Sequence, residues 1–326
     1  MDDDDLFTAL VPWAPEHLAR WNEHWRSDLL RTVGPDLALV GDTSWGAAVR
    51  DAVGLAVPDP LDWANRVVEL PSGGWALTGI RFRGRDVSKP FVDVIATSVR
   101  PDAAGLAELG SVLEDARAFS PLCFRVRLPG DLLRVRALAG HGSSVAPDQL
   151  VVAGPVSVIA GREQTPGASA VELVPTTPEA AAPRVAAVYE TVRRVTPDLD
   201  EWAAPADEDG LGDADEQGLL FEVVVDGRAA GVVAAARDDA YGFTGFVVEE
   251  IALDDDHRGQ GLGPAVLRAL ARRLPATEAD VLWGHVHADN TPSLRGALAS
   301  GRAVCATLAW VTPDGWPGMP GSRPVR

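Results

Sequence analysis

Apolar residues recur along this chain with two periods, and the switches between them predict its elements. Leu219–Asp226 and Arg228–Arg237 are β-rich runs around Asp226-Gly227, a strong hairpin signal. Phe246–Leu253 (Phe-Val-Val-Glu-Glu-Ile-Ala-Leu) is dense in branched apolar residues and predicts a strand. Val266, Leu267, Leu270 and Leu274 then follow at helical spacing, with Arg268, Arg272 and Arg273 on the other side. Asp280–His287 predicts the next strand, Thr291–Ser300 a short helix ended by Gly301, and Arg302–Val311 a closing strand. From Val171 to Thr312 the order is strand, helix, hairpin, strand, loop, helix, strand, helix, strand.

The first half gives a related series. Strands are expected at Trp75–Arg83, Phe91–Thr97 and Cys123–Leu128, and helices near Ala103–Phe119 and Asp131–Ala139. Gln149–Ile159 is apolar and β-like throughout. This order repeats the latter part of the second half, the mark of a diverged duplication. Gly161–Ser169 reads as a linker and divides the chain into domains 1–162 and 163–326. Around Ala14–Val33, Trp13, Trp21 and Trp25 with His17 and His24 read as a packing stripe on a helix.

Composition bounds the function. The 326 residues suffice for two cores, and 46% hydrophobic with 23% charged residues describes a globular protein. A net charge of −18 argues against a general grip on nucleic acid or anionic membrane. No apolar run is long enough to span a membrane, because Asp226-Gly227-Arg228 breaks the most apolar stretch. Asp2–Asp5 are the opposite of a basic signal-peptide region, and two isolated cysteines, Cys123 and Cys305, suit a reducing cytosol without a metal site. Lys89 is the sole lysine among abundant arginine, alanine and proline, which suggests a GC-rich bacterial genome. Nine acids and no Lys or Arg lie between Asp198 and Glu216, read as a solvated loop or as an acidic lip for a cationic amine.

The densest chemistry lies between the strand and helix, at Asp256-His257-Arg258-Gly259-Gln260-Gly261-Leu262-Gly263-Pro264. Glycines at 259, 261 and 263 permit positive φ and let the backbone approach an anion. Free N–H groups and the helix dipole then favour phosphate oxygens, with Pro264 tolerated in the first turn. A P-loop is excluded for want of Gly-x-x-x-x-Gly-Lys, and a dinucleotide fingerprint fails because its third glycine position is Val266.

Arg258-x-x-Gly261-x-Gly263, in this order of elements, resembles the acyl-CoA pyrophosphate loop of the GNAT N-acyltransferase superfamily. The tandem layout is similar to that of mycothiol synthases. The resemblance implies an α/β (α+β) fold of two tandem GNAT-like domains, each a mixed, mostly antiparallel sheet flanked by helices, the first without the loop. It implies an acetyl-CoA or other acyl-CoA co-substrate held by Ile251, Leu253, Arg258, Gly259, Gln260, Gly261, Leu262, Gly263 and Asn290, and no metal. It further implies transfer to a small-molecule primary amine in a ternary complex.

An amine must lose a proton to attack a thioester, and a carboxylate on the preceding strand can accept it. Alternation places Glu249 with Ile251 and Leu253, making it the expected base, with Glu250 on the other face. By resemblance, Leu253 offers its N–H to the thioester carbonyl. His285 and His287 share a strand face and serve as a proton relay or as packing residues. Many members carry a tyrosine on the helix after the Asn; here that slot is Ala297, and the aromatic after the helix's final glycine is replaced by Arg302. Two further readings therefore remain open: an acyl-CoA sensor without turnover, and a protein or peptide acetylase docking through the first half. Oligomeric state is left open.

Overall fold

The computed structural model describes residues 2–138, 142–163, 170–201 and 203–324. Its strands are β1 (Arg66–Glu69), β2 (Trp75–Phe82), β3 (Pro90–Thr97), β4 (Phe124–Pro129), β5 (Ser143–Pro155), β6 (Val171–Pro175), β7 (Leu220–Val225), β8 (Arg228–Arg237), β9 (Gly245–Leu253), β10 (Val281–His287) and β11 (Ala303–Pro313). The expected mixed, mostly antiparallel sheet flanked by helices is present. Contacts divide the chain into two compact units, Met1–Leu150 with Cys305–Arg326, and Val151–Val304.

In the second unit β6, β7, β8 and β9 pair antiparallel in sequence order, and β10 joins β9 in parallel. The hairpin turn forms as the Asp-Gly pair requires, with positive φ at both Asp226 and Gly227. One face packs Phe221, Val223, Val233 and Phe246 against Val266, Leu267 and Leu270 of the helix Leu262–Ala271. The other packs Leu220, Val232, Ala234 and Ala252 against Ala181, Val185 and Val188 of the helix Pro178–Val195.

In the first unit β1, β2 and β3 pair antiparallel, β3 and β4 are parallel, and β11 joins β4 antiparallel through Ala306–Val311. The units meet at 150/151 and 304/305, not at 162/163. Val156 and Ile159 lie in the second unit's core, and the Val156 N–H donates to the Asp280 carbonyl at 3.0 Å. Ala309 and Val311 lie in the first unit's core. Each unit is thus completed by a segment from the other half of the sequence.

Several local expectations change. Val156–Gly161 is a helix, and β5 begins earlier, at Ser143. Short apolar runs carry no period that separates strand from buried helix. The stretch near Ala103–Phe119 breaks into Ala103–Leu109, Val112–Asp115 and a 3-10 turn, interrupted near Gly110. The tryptophan stripe is not one helix: Val11–Trp13, Leu18–Trp21 and Trp25–Ala38 are separate. Residues 164–169 of the expected linker and Ala139 lie outside the described residues.

In the first unit the Asp102 carboxylate caps the helix Ala103–Leu109 by accepting from the Gly105 N–H at 2.9 Å. Trp13 packs into this unit's core and donates its indole N–H to the Val99 carbonyl at 2.7 Å.

Candidate functional site

The site is built along β9. Its register with β10 covers Gly245↔Val281, Phe246↔Leu282 and Val247↔Trp283, and both strands continue past that point. They fork after Val247, leaving β9 backbone available to an extended ligand, as at any sheet edge. A bulge falls at the fork: Ala235 faces Val248 and Ala234 faces Glu250, so Glu249 is the additional residue. The bulge interrupts the alternation that would set Glu249 and Glu250 on opposite faces.

The two carboxyls differ sharply. Glu250 is buried and accepts from the Ile251 N–H at 2.9 Å, the Ala206 N–H at 3.4 Å and the Tyr189 hydroxyl. Burial raises its pKa, and those donors work against the rise. The Tyr189 hydroxyl is itself pushed up, by burial first and then by Glu250. Glu249 is half-buried, and its Oε2 has no hydrogen-bond partner. Burial raises its pKa, and the negative charges of Asp213 and Asp238 add to the rise.

At the other end of β9 the loop takes the expected form. Gly259 and Gly261 both have φ +74°, and a Cβ at 259, 261 or 263 would meet nothing within 4 Å. Gly263, by contrast, lies in the first helical turn, so its contribution is a missing side chain and not a positive φ. The helix Leu262–Ala271 starts from Gly261 with no side-chain cap, which leaves its positive end open. Arg258 is paired with Asp255, and the Gln260 amide donates to the Asp256 carbonyl. These features fit a pyrophosphate: open concavity, uncapped dipole, and an arginine alongside.

Sequence reasoning missed the brace behind this loop. Arg184 of the helix Pro178–Val195 grips Asp254, with Nε to Oδ1 at 3.1 Å, and reaches Glu222 at 2.9 Å. Nothing in the local pattern pairs residues 70 apart. Likewise Asp280, buried at the start of β10, is bonded by Arg237 at 2.9 Å and by Thr277.

Asn290 caps the helix Thr291–Ser300, its Oδ1 accepting from the Ser293 N–H at 3.2 Å. Asn290→Ala is expected to cost about 1 kcal/mol of stability by denaturant titration. A loss of acyl-CoA affinity beyond that would make it a ligand contact, and parallel losses would limit it to the cap. His287 accepts the Asp289 N–H at 3.3 Å on Nδ1, at the turn into this helix. His285 is exposed, and its Nε2 lies 2.8 Å from the Tyr241 hydroxyl beside Trp283. Ala297 is fully buried, and Leu253 pairs with Gly231 at the loop end of β9. By strand rise Leu253 is roughly 13 Å from Glu249. The structure therefore groups Glu249, Glu250 and the fork at one end, and Leu253 with Arg258–Gly263 at the other.

The acidic segment is more ordered than a solvated loop. It forms turns at Pro197–Glu201 and Asp209–Leu211 and a helix at Gly212–Glu216, pinned by buried Leu199, Leu211 and Ala214. Asp200 is held by Arg193 at 2.8 Å, while Asp213 is exposed and adds to the field on Glu249.

Among the described residues no group of three or more His, Cys, Asp or Glu is placed to hold a metal, and no helix is long and apolar enough to cross a membrane. No curated protein sequence matches the chain significantly. In structure it is similar to a GNAT-family acetyltransferase from Colwellia psychrerythraea (13% identity, 74% of this chain and 81% of that one, TM-score 0.45). It is similar also to a GCN5-related N-acetyltransferase from Sphaerobacter thermophilus (15% identity, 85% and 93%, TM-score 0.45). A tandem GNAT protein from the clavulanic acid biosynthesis pathway gives 17% identity, 87% and 95% coverage, and a TM-score of 0.41. In sequence, residues 185–296, which take in the bulged strand, the glycine loop and the helix Leu262–Ala271 and end inside the helix Thr291–Ser300, match the acetyltransferase (GNAT) family.

Proposed function

We propose that the second unit transfers an acyl group from acyl-CoA directly to a small-molecule primary amine in a ternary complex. The observation that carries this reading is Glu249: a carboxylate at the fork, half-buried, with an unpartnered Oε2. Gly259–Gly263 hold the pyrophosphate on backbone N–H groups and the helix dipole. The edge of β9 beyond Val247 orients the extended arm toward the fork.

Glu249 takes a proton from the ammonium form of the acceptor. The freed nitrogen pair attacks the thioester carbonyl carbon, the C–N bond forms, and collapse breaks the C–S bond. The thiolate leaves and takes a proton from solvent, and the amide nitrogen sheds its second proton. A thiol is acidic enough to leave without the tyrosine that Ala297 replaces. Asp213 and Asp238 make the approach to Glu249 negative, which favours a cationic acceptor. Cys123 and Cys305 are buried and outside any disulfide, the former thiol pushed up to about 12 by burial first, which suits a reducing cytoplasm.

Calorimetric titration with acetyl-CoA, followed by thiol release in the presence of a panel of primary amines, tests the reading. Micromolar binding with amine-dependent release supports it. Binding without release from any amine would leave an acyl-CoA sensor, and release with peptides alone a protein acetylase.

The base also sets a pH dependence. Glu249 must be ionised, and its raised pKa places the acid limb of kcat/KM above the ordinary carboxylate range, activity falling as pH drops through it. Asp213→Asn removes one raising charge, so the limb should move to lower pH. An unmoved limb in that variant assigns it to another group.

A further inference from the structure

Arg302 immediately precedes β11, where the resembled family places an aromatic. It is 7% exposed, and its Nε is buried without a hydrogen-bond partner. No carboxylate or carbonyl among the described residues meets its guanidinium, and burial alone acts on it, pushing its pKa down to about 10. It is therefore a cation at neutral pH. Other arginines of this unit show the contrast: Arg184 is bonded to Asp254 and Glu222, Arg237 to Asp280, and Arg272 to the Ala160 carbonyl. An unpaired buried cation is costly to a folded chain, and a ligand anion that completes it removes the cost.

The guanidinium lies at the fork. Its NH1 is 3.6 Å from the point where a Cβ on Gly284 would stand, and the Val248 carbonyl oxygen is 3.5 Å from that same point. Gly284 directly follows Trp283, the last β10 residue in register with β9. With phosphates at Gly259–Gly263, a ligand arm running back along β9 brings its acyl end to this place. Asp213, Asp238 and Glu249 make the acceptor's approach negative, which disfavours an anionic acceptor and leaves the donor as the source of an anion.

We propose that Arg302 selects the acyl donor by receiving a carboxylate at the far end of the acyl chain, so that the preferred donor is the CoA thioester of a short dicarboxylic acid. Arginine suits this task because its planar fork takes a carboxylate in two parallel bonds. The inference rests on the reading that acyl-CoA lies along β9.

The test is calorimetric titration of the full chain with acetyl-, malonyl- and succinyl-CoA, for wild type, Arg302→Gln and Arg302→Met. Wild type should bind one of the dicarboxylic thioesters about tenfold or more tighter than acetyl-CoA. Both variants should lose that preference and keep acetyl-CoA affinity within about twofold. Unliganded Arg302→Met should melt no lower than wild type, whereas a merely structural arginine would lower Tm and weaken every donor alike. Wild type that binds acetyl-CoA without preferring either dicarboxylic thioester overturns the inference even if both variants fail to fold. So does a rate preference for a carboxylate-bearing acceptor that disappears in Arg302→Gln, because it moves the anion to the acceptor. Failure of all three thioesters to bind folded wild type overturns the reading of the site as well.

Discussion

Gly261→Asp is expected to remove acyl-CoA binding from a protein that remains folded. Gly261 has φ +74° and begins the helix Leu262–Ala271 without a side-chain cap. Asp is among the few residues that tolerate left-handed backbone and is a favoured helix cap, so the fold survives. Its carboxylate, however, would stand in the place proposed for the pyrophosphate. Like charges placed together at a binding site cost several kcal/mol, so the dissociation constant should rise by roughly a hundredfold or more. Gly261→Ala isolates the backbone strain, on the order of 1–2 kcal/mol, because a Cβ there meets no neighbour. Calorimetry on both, with melting curves alongside, gives the comparison. Undiminished binding in Gly261→Asp would place the phosphates elsewhere.

Glu249→Gln should lower kcat by about 10²- to 10⁴-fold, the usual contribution of a positioned general base. Acetyl-CoA affinity should change little, since the amide keeps the volume of the acid. Glu250→Gln is the informative companion. Glu250 is tied to Tyr189, Ala206 and Ile251, so its loss should appear in stability before catalysis. Single-turnover thiol release with saturating acetyl-CoA and amine reads the chemical step. If Glu250→Gln abolished turnover and Glu249→Gln did not, the two roles would be exchanged.

The second unit was legible because its elements are long, periodic and well punctuated. The hairpin at Asp226-Gly227, the strand before the glycine loop and the capped helix after Asn290 each carry a local signal, and each forms where that signal falls. What escaped is non-local. The bulge that separates Glu249 from Glu250 depends on register against β8, which alternation within β9 does not contain. The Arg184–Asp254 brace joins residues 70 apart. Arg302 was visible only as a break in a pattern; its burial follows from packing around Gly154, whose Cβ would come within 3.2 Å of the Arg302 Cα. Val156–Gly161 misled for a related reason, since an apolar run six residues long fits a buried helix as well as a strand.

The exchanged closing segments bear on how this chain is made. Synthesis proceeds from the N-terminus, and domains ordinarily fold as they emerge. Here β4 must wait for Ala306–Val311 to obtain its antiparallel neighbour, and Gly130 waits for the Cys305 carbonyl. The unit begun first is therefore finished last, after the glycine loop and its helix have already left the ribosome. Until then an apolar strand edge stands open, and closing it requires contacts of very high sequence separation. A released chain ending at Val304 would hold every residue of the unit Val151–Val304 and leave the unit begun first without the β11 residues that pair with β4.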